Sequence, residues 1–185
     1  MNYPRVTQIL APFTSYDRVP KQTLENAAAR GTSVHAYCAE IAKGIWVPSK
    51  MINEECKGYV DSFQQWVDAQ VEEFLVIEKR YADEDHKFTG QIDCLIRAHN
   101  GETYLVDLKT CAKPNKTHAL QVAAYEHILR KHGYATAASM IVYLKRDGEF
   151  PDIDFREDLS EELRIFFAAT ECWHYFNRGK NDKAA

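Results

Sequence analysis

The order of periodic segments in this chain predicts an α/β (α+β) fold, a central mixed β-sheet flanked by helices. Two long segments with helical spacing come first, three strand-like segments follow in a row, and helix and strand then alternate to the end. With 185 residues, the chain suits one domain that buries its own core. We assign residues 1–178 to that domain and 179–185, GKNDKAA, to a flexible polar tail.

Each element has a local reason. Pro20 opens a helix from 21 to about 43, with Leu24, Ala28, Gly31, His35, Cys38 and Ala42 at the spacing of one face. A second helix, 53–73, carries Tyr59, Phe63, Trp66, Val67 and Val71 on one side. Strands are expected at 75–82, 87–98 and 103–110. Asn115 or Thr117 caps a helix that runs to about 132, where Gly133 ends it. A strand at 138–144 leads through Asp147-Gly148 to a short returning strand at 150–155. Ser160, with Glu161 and Glu162 in the first turn, opens the last helix, to about 176.

Composition narrows the function. Net charge is −4, so a uniformly basic nucleic-acid binder is excluded and any such binding needs a local cationic patch. Five cysteines without a C-x-x-C argue against a disulfide framework and against zinc or iron–sulfur spacing. The opening MNYPRVTQILAPF lacks a basic segment followed by a long apolar run, so we expect no signal peptide, no membrane association and a cytoplasmic location.

The chemistry concentrates in GQIDCLIRAHNGETYLVDLKT, residues 90–110. It reads as two strands around an Asn-Gly turn, interrupted by Asp93, Asp107 and Lys109. A two-residue turn would put the aspartates on opposite faces. A three-residue loop, His99-Asn100-Gly101, stacks Ile92, Cys94 and Ile96 against Leu108, Val106 and Tyr104 and sets Asp93 opposite Asp107. Glycine in the third loop position suits a type I turn with a bulge. We therefore expect the second register. Carboxylates opposed at about 5 Å repel unless a cation sits between them. Oxygen ligands of this kind suit Mg²⁺, Mn²⁺ or Ca²⁺, and Lys109 projects beside them. The same three charges also fit a solvated pair on an exposed sheet face.

An ordered set of motifs resembles the PD-(D/E)xK nuclease superfamily, and within it the RecB-like or phage-type exonuclease branch. RGTSVH ends at His35, GQID ends at Asp93, DLKT runs from Asp107 to Thr110, and QVAAY runs from Gln121 to Tyr125. The resemblance implies a restriction-endonuclease-like core. It implies that His35, Asp93, Asp107 and the backbone carbonyl of Leu108 hold Mg²⁺ or Mn²⁺. Lys109 would orient the attacking water, Gln121 and Tyr125 would border the site, and Glu78 is a further acidic candidate. Some relatives carry a four-cysteine cluster near their termini; its spacing is missing here, so no iron–sulfur cluster is expected. No G-x-x-x-x-G-K-[ST] occurs, so no nucleotide is expected.

The implied activity is a metal-dependent deoxyribonuclease, an exonuclease in phage or prophage recombination or replication. A structure-selective endonuclease, or a non-catalytic DNA-binding module on the same fold, fits the same motifs. DNA is the expected partner, bound through phosphates without base readout, and the resemblance leaves room for a recombination or single-strand-annealing partner protein. Arg30, Lys113 and Lys116 are the candidate phosphate contacts, and Tyr37 and Tyr125 could stack on unpaired bases.

Overall fold

A computed structural model describes residues 3–14, 19–111 and 114–178. Lys113 and the tail 179–185 lie outside the described residues. The elements, in chain order, are α1 (Val6–Leu10), α2 (Lys21–Ala42), α3 (Glu54–Gln70), β1 (Val71–Asp83), β2 (Phe88–Ala98), β3 (Thr103–Lys109), α4 (Lys116–Lys131), β4 (Ala138–Tyr143), β5 (Asp152–Arg156) and α5 (Ser160–Asn177). The sheet is mixed, in the order β1-β2-β3-β4-β5; β3 and β4 run parallel and every other neighbouring pair is antiparallel. Among the described residues no helix is long and apolar enough to cross a membrane.

The β2–β3 register is the expected one: Cys94 faces Val106, Leu95 faces Leu105 and Ile96 faces Tyr104. Ala98 N–H donates to Glu102 O at 2.9 Å, and Gly101 closes the three-residue loop at φ 84°. That left-handed conformation is open to glycine at no steric cost, which is why the turn is encoded there.

Side-chain alternation divides the core into two layers. Leu105, Ile141 and Tyr143 pack with α1, α4 and α5 through Val6, Ile9, Val122, Ile128 and Phe166. Tyr104, Val106, Leu108, Met140 and Val142 pack with α2 and α3 through Val34, Cys38, Phe63 and Trp66. Cys38, Cys56 and Cys94 are buried in this second layer.

Four details depart from the sequence expectation. Residues 71–73, expected as the last helical turn of α3, belong to β1, where Val71 and Glu73 pair with Ala98 and Arg97. Sheet pairing outcompetes one further helical turn there. Helix α1 was not expected, because five residues are too few to display a helical period; it forms by burying Val6, Ile9 and Leu10. In α2, burial begins only at Val34, so Leu24 and Ala28 are not part of the core stripe. Strand β2 was expected to keep Ile92, Cys94 and Ile96 on one face. Instead Ile92 packs in the first layer and Cys94 in the second. The strand changes sides at Asp93, where the β2–β3 ladder has ended at Cys94↔Val106.

Candidate active site

The end of that ladder is what makes room for a site. Past Cys94, β2 stays paired to β1 while β3 stays paired to β4, so the backbone of Leu108 faces a gap. Two side chains fill it. Leu108 N–H donates to Asp93 Oδ2 at 2.8 Å, and His35 Nε2, reaching across from α2, lies 3.1 Å from Leu108 O. The other ring nitrogen, His35 Nδ1, is 3.4 Å from Asp93 Oδ1 and 3.5 Å from Glu78 Oε1. His35, Glu78 and Asp93 thus each bring one ligand atom to within 4.8 Å of the others.

Glu78 has a distinctive backbone. It sits at φ 44°, a left-handed conformation that a residue with a Cβ adopts at a cost of about 1–2 kcal/mol. Its carboxylate accepts from Gln91 Nε2 at 2.6 Å, which holds it toward His35. Strain of this kind persists only where the surroundings enforce it, and it clusters at functional positions.

Asp107 is 1% exposed, and its Oδ1 receives no hydrogen bond among the described residues. The Lys109 ammonium is in close ion-pair contact with Oδ2. Lys109 Nζ also donates to Gln121 Oε1 at 3.2 Å, and Gln121 Nε2 donates to Tyr125 Oη at 2.9 Å. Gln121 and Tyr125, one helical turn apart on α4, therefore steady the lysine. Gly90 lets Tyr125 lie there: a Cβ at residue 90 would sit 2.8 Å from the Tyr125 ring.

The charges set the protonation states. The Asp93 carboxylate raises His35 to about 10, against the opposing effect of burial. Burial alone would raise Asp93, but the His35 charge and hydrogen bond, Lys109 and the Leu108 N–H together hold it below the usual carboxylate range. Asp107 goes the other way, to about 6: burial raises it, the Asp93 charge adds to that, and Lys109 offsets only part. Lys109 is raised, since Asp107 and Asp93 outweigh its burial, so it stays an ammonium.

These residues fit a divalent cation. Among the described residues Asp107 Oδ1 lacks a donor and Oδ2 meets only Lys109, and near them stand a carboxylate pair, an imidazole and a backbone carbonyl. Hard oxygen donors in this proportion suit Mg²⁺ or Mn²⁺. Asp107 stands apart from the compact His35–Glu78–Asp93 group, although its charge is coupled to both Asp93 and His35.

A cleft of about 680 Å³ opens over this group and is lined by His35, Glu78, Asp93, Gln121 and Tyr125. Its cationic lining is Arg5, Lys43 and Arg80. None of the three stood out in the sequence, because they come from three separate elements. Arg30 does not line the cleft; its guanidinium lies over the Tyr59 ring, 5.7 Å from the centroid. Lys116 is exposed at the start of α4, away from the cleft lining. Tyr37 is tied to the α2–α3 connection, donating to Met51 O at 3.2 Å and accepting from Asn53 N–H at 3.3 Å. Thr110 Oγ1 faces Gly31 of α2, 3.5 Å from where a Cβ would be.

Comparison with known proteins completes the picture. No curated protein matches the chain. Among solved structures it is similar to SSO0001, at 18% identity and TM-score 0.38 over 52% of this chain and 48% of that one. The chain thus spans about half the length of that protein. It is also similar to LHK-Exo, determined in complex with dAMP, at 14% identity and TM-score 0.43 over 99% of this chain and 95% of that one. A family model for the PD-(D/E)XK nuclease superfamily matches residues 15–171, and by that match the chain belongs to this superfamily.

Proposed function

We propose that the protein is a metal-dependent deoxyribonuclease that digests DNA from its ends, acting in phage or prophage recombination or replication. The observation that carries the hydrolytic reading is Asp107, a buried carboxylate faced, among the described residues, only by the Lys109 ammonium and coupled in charge to Asp93 and His35, which line the cleft. Two buried carboxylates, Asp93 and Asp107, facing one ammonium leave negative charge that a divalent cation compensates directly. Asp93, Asp107, His35 and Leu108 O would hold Mg²⁺ or Mn²⁺, with Glu78 the added acidic ligand. When bound, the ion supplies Lewis-acid stabilisation of the phosphoryl oxygens and lowers the pKa of the attacking water.

The chain's own residues do the rest. Lys109, held as an ammonium by Asp107 and steered by Gln121, donates hydrogen bonds rather than taking up a proton. In that state it orients the water and offsets charge that grows on the phosphate. Arg5, Lys43 and Arg80 line the cleft where a phosphate backbone would lie, and they serve better than Arg30 as phosphate contacts.

End-labelled linear DNA, single- and double-stranded, tests this with Mg²⁺ and with Mn²⁺. Release of the terminal label by the wild type, none by Asp107→Ala, and survival of covalently closed circles are expected. Cutting of closed circles replaces the exonuclease reading with the endonuclease one. DNA binding without turnover under every condition makes the protein a binding module.

A further inference from the structure

A second group of ligand atoms lies at the tip of the β1–β2 hairpin. Asp83, the last residue of β1, is 0% exposed. Its two oxygens keep different company. Oδ1 accepts from the backbone N–H of Asp85 at 2.9 Å, the N–H of His86 at 3.1 Å and the Lys131 ammonium at 2.7 Å. Oδ2 meets two imidazoles, His86 Nδ1 at 2.8 Å and His127 Nε2 at 2.8 Å. One ligand atom from each of Asp83, His86 and His127 lies within 4.8 Å of the others.

We propose that Asp83 Oδ2, His86 Nδ1 and His127 Nε2 bind a zinc-class transition-metal ion, with solvent completing a four-coordinate shell. Two imidazoles and one carboxylate oxygen are the donor set that such ions prefer over Mg²⁺ or Ca²⁺. Bonds of about 2.0–2.1 Å at tetrahedral angles separate ligand atoms by about 3.3 Å. The present N···O separations of 2.8 Å are those of hydrogen bonds, so the imidazoles need to open by roughly 0.5 Å as the ion replaces their protons. His86 allows this and gives access, because it sits in the hairpin turn with 41% of its side chain exposed.

The surroundings already hold the ligands in place. Oδ1 is pinned by three donors that leave Oδ2 alone, which is how an outer shell orients a ligating carboxylate. The His86 ring stacks on Phe167 at 4.1 Å and 13°, and His127 meets the same ring edge-on at 5.0 Å and 88°. Lys131 is shared with Asp85, so with neutral imidazoles the group is net negative before the ion enters. A bound ion would tie the hairpin tip to α4, the helix that carries Gln121 and Tyr125.

The test uses the full chain stripped with a chelator and then titrated with Zn²⁺ against a chromophoric competitor, and with Co²⁺ followed by visible absorption. Beyond any Zn²⁺ held by the cleft group, wild type and Asp107→Ala should each take up one equivalent at this site with micromolar or tighter affinity, show the Co²⁺ bands of a tetrahedral site, and melt several degrees higher with Zn²⁺. His86→Phe keeps the stack on Phe167 but removes the nitrogen ligand. It should weaken Zn²⁺ by about 10²-fold or more, with no melting shift, while its response to Mg²⁺ is unchanged. His86→Gln serves the same purpose if the phenylalanine perturbs folding. No Zn²⁺ uptake by the wild type, or wild-type affinity in the His86 variant, overturns the proposal and leaves a hydrogen-bonded staple.

Discussion

Asp83 and Asp107 are equally buried, 0% and 1% exposed, and opposite in company. Asp83 accepts hydrogen bonds from two backbone amides, two imidazoles and an ammonium. Among the described residues Asp107 is faced by the Lys109 ammonium alone. The consequences diverge. Burial alone would raise Asp83, but the donors from Lys131, His86 and His127 hold it well below the usual carboxylate range. Asp107 is pushed up to about 6 by burial, with Asp93 adding to it. At the hairpin tip the protein has supplied its own substitute for a cation. At Asp107 a single ammonium, Lys109, is shared with Asp93, and the charge left over favours an added ion. Donor chemistry then separates the two: the cleft is oxygen-rich and suits a hard ion, and the hairpin tip is nitrogen-rich and suits a softer one.

The largest effect expected on stability comes from the satisfied site. Asp83→Ala strips five hydrogen bonds of their acceptor, three of them from residues that can turn to water, so denaturant unfolding of the metal-free protein at pH 7 should lose about 2–3 kcal/mol. A loss under about 1 kcal/mol would break the comparison at its stronger end.

Asp107 is expected to behave in the reverse way. Asp107→Ala and Lys109→Ala should each lower DNA cleavage by at least about 10²-fold. The folded pKa of Asp107, about 6, exceeds the ordinary carboxyl value of 3.8, so between these values the native state binds more protons than the unfolded one. Stability therefore falls as pH rises through that window. Asp107→Asn removes the effect and should stabilise the chelator-treated protein at pH 7 by about 1–3 kcal/mol, with the gap closing toward pH 4. A destabilised Asp107→Asn protein would mean that the Lys109 pair already compensates the carboxylate.

Glu78→Gly sharpens the same contrast. Relief of the left-handed backbone should raise metal-free stability by about 1 kcal/mol, while Mg²⁺ affinity, measured by calorimetry, falls. The smallest change is Gly90→Ala, which should cost about 1 kcal/mol and slow cleavage several-fold by displacing the Tyr125 ring that steadies Gln121 and Lys109. Full activity in that variant would detach Tyr125 from the lysine's placement.

Much of the frame was legible because its causes are local. Asn100-Gly101 and the apolar match of Cys94 and Ile96 with Val106 and Tyr104 specify one hairpin register, and the structure has it. Asn115 caps α4 as its residue type predicts, accepting from Thr117 N–H at 3.0 Å. The D-x-K pair and the i, i+4 spacing of Gln121 and Tyr125 were equally visible. Other features were not. Glu78 is no glycine, so nothing in its residue type announces φ 44°. Arg30 neighbours His35 closely enough in sequence to look like a cleft residue, yet it turns to Tyr59. His127 reaches Asp83 from 44 positions away, and no motif joins them.

By itself, then, the chain's sequence determined its mixed sheet, its hairpin register and which residue types stand at the ends of β2 and β3, since periodicity, turn chemistry and capping act over a few residues. Only the tertiary structure decided which buried carboxylate is satisfied and which is left wanting. That depends on the donors distant elements bring within about 3 Å, and hydrogen-bond energy falls off too steeply with distance and angle for sequence spacing to foretell it.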